Sequence, residues 1–168
     1  MTGICLGAFE KRRDLPRVEE WLHRPHVAEW WGDPAEALEI IRAHPAATAT
    51  MINGENRPIG FICWQQPSYD ELVAAGLGDL PDTIVDIDIM IGEPNALGQG
   101  AGSAALRLLV DRLKDDGVRL IGIGTSVANC RALKCYGNAG FSVFRDFEED
   151  GRQMRYLVRD MSGGDGAR

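Results

Sequence analysis

The chain has 168 residues, 45% of them hydrophobic, with 25 acidic side chains against 18 basic ones and a formal net charge of −7. That length and composition support one soluble globular domain with a substantial core, and the negative charge speaks against nucleic acid or an anionic membrane as partner and is compatible with a cationic substrate, although solubility alone is its commoner cause. No apolar run reaches the ~18 residues of a membrane span, and the basic cluster Lys11-Arg12-Arg13 follows the short apolar start instead of preceding it, which predicts a cytoplasmic protein without a signal peptide.

In chain order, residues 4–9 read as a first strand, after which Asp14 is expected to cap a helix reaching about residue 23, with Leu15, Val18 and Leu22 on one face. Residues 24–32 hold Glu29, Trp30 and Trp31 between a proline and a glycine. They are expected to form a connection, with one tryptophan stacking on a sugar or cation and the other filling core. Asp33-Pro34-Ala35-Glu36 carries a cap, an N1 proline and an N3 acid, which predicts a helix to about residue 43. Residues 48–52 and 58–65 read as an antiparallel hairpin, with the tight turn expected at Asn53-Gly54. Residues 67–81 then make an acidic excursion with Tyr69, Asp70, Glu71 and Asp79, either a solvated loop or the wall of a substrate site.

Residues 84–102 hold the most informative pattern. Alternation predicts a strand with Val85, Ile87, Ile89 and Ile91 towards core and Asp86, Asp88 and Met90 on the other face. Gly98, Gly100 and Gly102 then open an amphipathic helix over residues 103–113, leaving backbone N–H groups at its positive end for an anion. Ala101-Gly102-Ser103 lacks the lysine of a nucleoside-triphosphate loop, and Ser103 stands where a dinucleotide fingerprint has its third glycine. A phosphate cradle and a plain strand-to-helix turn remain the two readings of this loop. Beyond it come a strand over 118–124, a helix from about 128 to Gly140 that carries Asn129 and Tyr136, a second hairpin over 141–158, and a frayed Gly-rich tail over 161–168. Cys5, Cys63, Cys130 and Cys135 lack metal-ligand or C-x-x-C spacing and are expected to be small buried hydrophobes, without disulfide or metal. No partner is evident for His23, His26 or His44.

The order of elements, with a Gly-rich loop after the fourth strand, resembles the GCN5-related N-acetyltransferase (GNAT) fold. Leu97-Gly-Gln-Gly-Ala-Gly102 resembles the family's acetyl-CoA pyrophosphate loop, and Asn129-Cys-Arg-Ala-Leu-Lys-Cys-Tyr136-Gly-Asn-Ala-Gly-Phe141 its N-x-R-A…Y…GF helix. Trp21-Leu-His-Arg-Pro-His26-Val-Ala-Glu29-Trp30-Trp31-Gly32 is similar to a stretch of the aminoglycoside 6′-N-acetyltransferases. The resemblance implies one α/β domain over residues 1–160, with a mostly antiparallel mixed central sheet flanked by helices.

It also implies acetyl-CoA as co-substrate, no metal, and a cationic small-molecule amine as acceptor, in a monomer or homodimer. Gly98, Gln99, Gly100, Ala101, Gly102 and Ser103 would hold the pyrophosphate. Backbone groups of Ile89, Met90 and Ile91 would polarise the thioester and hold the pantetheine arm, and Asn129 would bind that arm or brace the strands. Asp88 would accept the amine's proton, directly or through water, and Tyr136 would protonate the leaving thiolate. Glu29, Trp30, Trp31, Tyr69, Asp70 and Asp86 would line the acceptor site. Asp86 shares a face with Asp88, so that like charges raise one carboxyl's pKa or the two form a simple cation site. A siderophore hydroxylamine, a polyamine or a protein amine is the alternative acceptor. A non-catalytic acyl-CoA sensor is the alternative class.

Overall fold

A computed structural model describes residues 3–163, so residues 164–168 of the expected tail lie outside the described residues. Seven strands run in the order β1-β2-β3-β4-β5-β7-β6, and all the pairings given below are antiparallel except β4 with β5. The chain divides into two compact units.

The first unit takes the described residues up to Cys63 together with Ile89–Ala105. It holds β1 (Cys5–Ala8), α1 (Lys11–Leu22), α2 (Pro25–Trp31), α3 (Pro34–Ala43), β2 (Ala49–Gly54), most of β3 (Arg57–Gln65), the end of β4 (Val85–Ile91) and the start of α5 (Ala101–Asp115). Its core gathers Val18, Trp21 and Leu22 of α1, Leu38 and Ile41 of α3, and Phe9, Phe61 and Met90. Phe9 and Phe61 meet edge-on with centroids 5.1 Å apart.

Several expectations change here. Asp14 lies one turn inside α1, not at its start. Its buried carboxylate reaches back to accept the N–H of Glu10 at 2.8 Å and is paired with Arg13, so it satisfies an orphan donor of the first turn from within. Residues 25–31 form a helix, not a connection, because Pro25 supplies a pre-set first position and Gly32, at φ 79°, ends it. The hairpin turn is Glu55-Asn56, with φ 51° and 64°, between the paired residues Gly54 and Arg57. Two positive φ values in a row are what a two-residue turn needs to match strand twist. Asn53 and Gly54 lie inside β2, beside a register shift between Ile52 and Asn53. Met90 is buried in the core although Asp88, on the same expected face, is exposed, so the alternation of β4 does not separate core from solvent along its whole length.

The second unit takes Trp64–Asp88 and the described residues from Leu106 on. It holds α4 (Tyr69–Ala74), the start of β4, most of α5, β5 (Leu120–Ser126), α6 (Cys130–Asn138), β6 (Ser142–Glu149) and β7 (Arg152–Asp160). The acidic excursion is more ordered than a solvated loop, and its expected helical turn is α4. A capping box between Ser68 and Glu71 starts α4, and Leu72, Leu77, Leu80 and Ile84 form a core with Tyr156. Asp79 is held by a two-pronged contact with Arg145 at 2.7 and 2.8 Å. Met161, at the start of the expected tail, is buried and donates its N–H to Arg119 O.

Cys63 is buried and Cys135 half-buried, but Cys5 and Cys130 are exposed, not buried as expected, since they fall at a strand edge and in a helix's first turn. Each histidine also has a partner. His23 Nδ1 lies 2.9 Å from Glu19 O, His26 Nε2 3.0 Å from Ile91 O, and His44 Nε2 2.9 Å from the Thr48 hydroxyl. Backbone carbonyls and a hydroxyl are partners that no spacing rule reveals.

Candidate active site

In the first unit, helices α1 and α2 fix the segment that leaves β4. The Trp21 indole N–H donates to Glu93 Oε1 at 2.9 Å, and Arg24 donates to Gly92 O at 2.9 Å and to Glu93 Oε2 at 3.0 Å. The N–H groups of Gly92 and Glu93 both donate to Ile59 O. Burial alone would push the Glu93 carboxyl up, but the hydrogen bonds from Trp21 and Arg24 hold it below its ordinary range. A Cβ at residue 92 would come within 2.0 Å of the Trp21 ring, so only glycine lets the segment pass.

This anchored segment leads into the glycine loop. Gly98 and Gly100 adopt φ 71° and 79°, which L side chains rarely take, and nothing lies within 4 Å of where their Cβ atoms would be. Residues 98–100 are exposed, and the 15-residue helix α5 starts at Ala101. The Ala104 N–H donates to Gly100 O, so the N–H groups of Ala101, Gly102 and Ser103 precede the first intrahelical bond. Backbone N–H groups at the positive end of a long helix are of the kind that could hold the pyrophosphate of acetyl-CoA. Ala101 and Ser103 are buried, which leaves Gly98, Gln99 and Gly100 as the open part of the loop. Met90 offers no side chain to a ligand, and the Ile91 carbonyl already faces His26; Ile89 is half-buried.

Glu29 is exposed, while Trp30 and Trp31 of α2 are half-buried and Trp31 packs on the core of the first unit. Trp31 thus takes the core-filling part expected of one of the two tryptophans.

The second unit brings together Asp86, Asp88 and Tyr136, and adds Tyr156. The parallel register of β4 and β5 runs through Val85–Ile121, Asp86–Gly122 and Ile87–Ile123, which makes Asp88 the first residue of β4 beyond it. Asp88 is exposed and Asp86 is half-buried. The Tyr156 hydroxyl, coming from β7, donates to Asp86 Oδ1 at 2.7 Å. Burial, and then the charge of Asp88, push the Asp86 carboxyl up to about 7; Glu149 and Glu71 push the same way and the Tyr156 bond opposes them. Tyr136 is buried, and its hydroxyl is pushed above the usual tyrosine range by burial, then by Cys135, Asp88 and Asp86. Tyr136 therefore keeps its proton at neutral pH, within electrostatic reach of both carboxyls.

Asn129 is the N-cap of α6. Its Oδ1 accepts the Ala132 N–H and its Nδ2 donates to the Thr125 hydroxyl, both at 3.2 Å, so the side chain braces the end of β5 against the helix. Tyr69 and Asp70 are exposed in the first turn of α4.

Sequence reasoning missed Tyr156, Glu93 and Arg24. For Tyr156 the available signal is Gly122, a glycine inside an apolar strand, which marks a close approach by another group. For Arg24 and Glu93 no periodicity would have joined residues 69 apart. Among the described residues, no group of three or more His, Cys, Asp or Glu is placed to hold a metal ion, and no helix is long and apolar enough to cross a membrane.

Comparison with known proteins bears on this geometry. A model of the acetyltransferase (GNAT) domain matches residues 10–148. Aminoglycoside N(6′)-acetyltransferases type 1 from Klebsiella pneumoniae and Serratia marcescens are each 34% identical over 147 residues, covering 76% of this chain and 69% of the relative. Among solved structures, the aminoglycoside acetyltransferase AAC(6′)-Ib in complex with coenzyme A superposes with a TM-score of 0.76 at 27% identity, over 94% of this chain and 95% of the other. Its complex with coenzyme A and kanamycin gives the same TM-score at 26% identity, over the same shares of both chains. A glycine loop opening a long helix and a sheet of this order agree with that match, and the chain belongs to the GNAT family of acetyltransferases.

Proposed function

We propose that this acetyltransferase moves the acetyl group of acetyl-CoA to a primary amine of a cationic small molecule, the 6′-amine of an aminoglycoside. The observation that carries this reading is the pair of β4 carboxyls within electrostatic reach of the buried Tyr136 hydroxyl. The names of the relatives supply the acceptor class. Inactivation of an antibiotic in the cytoplasm is the corresponding physiological role.

Acetyl-CoA supplies an activated thioester. The loop at 98–103 holds its pyrophosphate through backbone N–H groups. An amine arrives as an ammonium, and Asp88, exposed and beside Asp86, first attracts it and then accepts its proton, directly or through water. Tyr136 supplies a proton to the leaving sulfur. The charges of Asp88 and Asp86 are two of the causes that hold the Tyr136 proton so tightly, after burial and Cys135. Once the amine's proton neutralises one carboxylate, that hold weakens, in the direction the reaction needs. In the second unit, Tyr69, Asp70 and Asp86 are proposed to receive the acceptor's remaining cationic groups; in the first, Trp30 is a candidate for sugar stacking and Glu29 for a cationic group.

Free-thiol release from acetyl-CoA, measured across kanamycin, tobramycin, spermidine and a siderophore hydroxylamine, tests the proposal. Fastest release with the two aminoglycosides, and a product acetylated at the 6′-nitrogen by mass spectrometry, are the expected results.

A further inference from the structure

Tyr156 belongs to no motif that led to the site, yet from β7 it reaches a β4 carboxyl. Its ring lies in the core formed by Leu72, Leu77, Leu80 and Ile84, and meets Phe147 edge-on at 6.5 Å. Its hydroxyl passes over β5 at Gly122, where a Cβ would come within 2.0 Å of the oxygen. Gly122 is also the residue in register with Asp86. A glycine on the central strand, a tyrosine on the next strand and an aspartate on the one before thus form one built feature. The tyrosine is locked by packing, and the glycine clears its path to a single carboxylate oxygen.

We propose that Tyr156 is a positioning residue: its hydroxyl, seated over Gly122, holds Asp86 so that Asp86 and Asp88 act as one proton-accepting pair, and this pair, not Asp88 alone, receives the proton of the amine. The proposal rests on the acetyltransfer reading above and deepens it. In the step concerned, an N–H bond of the ammonium breaks, its electron pair stays on nitrogen for attack on the thioester, and an O–H bond forms on one of the two carboxyls. Tyr156 occupies Oδ1 of Asp86 and leaves the second oxygen as the acceptor.

The charged and titratable groups facing Asp86 are Asp88 on its own strand, Tyr156 on β7, Glu149 on β6 and Glu71 on α4, with Tyr136 of α6 sensing both carboxyls. All but the tyrosines carry negative charge. The Tyr156 hydrogen bond is the contribution that opposes them and favours the ionised form of Asp86. Its strength therefore sets the pH at which the pair can accept a proton.

The test is the acidic limb of kcat/KM against pH, which reports the essential base of the free enzyme, for the parent, Tyr156→Phe and Asp86→Asn. Tyr156→Phe keeps the packed ring and removes only the hydroxyl, so the limb should move to higher pH by about one pH unit, as loss of one hydrogen bond to a charged group predicts. Asp86→Asn removes the neighbouring charge and leaves Asp88 alone, so the limb should move to lower pH. Shifts in opposite directions support the pair. A limb at the same pH in the parent and both variants would overturn it, because a tyrosine that only packs moves no titration.

A second readout needs no turnover. The carbon-13 carboxyl signal of Asp86 in labelled protein should titrate near neutrality and move upward in Tyr156→Phe. A parent that acetylates none of the amines while this signal behaves as stated would remove the acetyltransfer reading, and with it the pair's role towards the amine, and support only the hold of Tyr156 on Asp86. A carboxyl titrating in the ordinary aspartate range, in an enzyme that does acetylate amines, would leave that reading in place and overturn the pair.

Discussion

The indole N–H of Trp21 donates to the Glu93 carboxylate at 2.9 Å, joining the last turn of α1 to a segment 72 residues further on. Gly92 is the residue that makes the join possible, since any side chain there would enter the Trp21 ring. Trp21 is fully buried, so the ring has nowhere to retreat. Overpacking of this kind costs about 1–3 kcal/mol. Gly92→Ala should therefore lower the urea midpoint by a corresponding amount without changing the slope of the transition, whereas an unchanged midpoint would show that the segment can move aside.

The glycine loop makes a second, separable prediction. Gly100 sits at φ 79° with open space above it, so its side chain is excluded by backbone conformation and by ligand approach, not by a neighbour. For the parent, acetyl-CoA at a hundred times its dissociation constant should add about 2.7 kcal/mol of stability. Gly100→Val should lose that ligand-dependent gain while retaining the far-UV spectrum of the fold. A full gain in the variant would remove the loop from the binding site.

How much of this was legible before the structure depends on the range of the interaction. The glycines of 98–102 and the alternation of 84–91 are local patterns, so both the loop and the carboxyl-bearing strand could be read directly. The helix at 25–31 was hidden because Trp30, Trp31 and Glu29 suit a binding loop, while Pro25 at N1 is a weaker local signal. The Glu55-Asn56 turn was missed because Asn-Gly is the stronger tight-turn dipeptide, and only the register shift at Asn53 displaces the turn beyond it. Asp86 could be seen beside Asp88. Which of the two is the more buried, and that a tyrosine 70 residues away touches it, depends on strand pairing that one sequence does not encode locally.

Asp88→Asn keeps the shape of the strand and removes a proton acceptor. Catalysis by a positioned base contributes roughly a hundred- to ten-thousand-fold. Turnover should fall by a factor in that range while acetyl-CoA still protects the variant against heat as it does the parent. Turnover within about threefold of the parent would take Asp88 out of the proton path.

Asp86 also makes stability depend on pH, with a sign that can be worked out. Its carboxyl titrates at about 7 in the folded chain, against about 3.9 for an unperturbed aspartate. Between those values the folded chain binds a proton that the unfolded chain has lost, so this residue's contribution is fully present below about pH 4 and is lost as pH rises through neutrality. Asp86→Asn removes the dependence. Relative to the parent, the variant should be more stable at pH 8 by on the order of 1 kcal/mol and little changed at pH 4. Taking the difference between the two proteins cancels Asp79, Asp146 and Glu93, whose carboxyls are held low by Arg145, by Arg155, and by Trp21 with Arg24. A difference independent of pH would place Asp86 in the ordinary aspartate range.

The acceptor's charge should show itself in salt dependence. In the second unit, Asp86 feels Asp88, Glu149 and Glu71 with no cation among the causes of its shift, whereas Asp79 and Asp146 are neutralised by Arg145 and Arg155. Negative charge is thus gathered near the β4 carboxyls, where it would raise the local concentration of a polycation. That attraction is screened beyond a Debye length of about 8 Å at physiological ionic strength and about 3 Å at 1 M. The Michaelis constant for kanamycin or tobramycin should consequently rise steadily from low to high salt, while that for acetyl-CoA, held by backbone N–H groups at a helix end, should rise much less. Trp30→Ala should raise the aminoglycoside constant further through lost stacking, by a factor of about two to five, the equivalent of ~0.5–1 kcal/mol at a partly exposed ring. A neutral hydroxylamine turned over faster than either aminoglycoside, with a Michaelis constant insensitive to salt, would sink the aminoglycoside assignment and leave an acetyltransferase for a different acceptor.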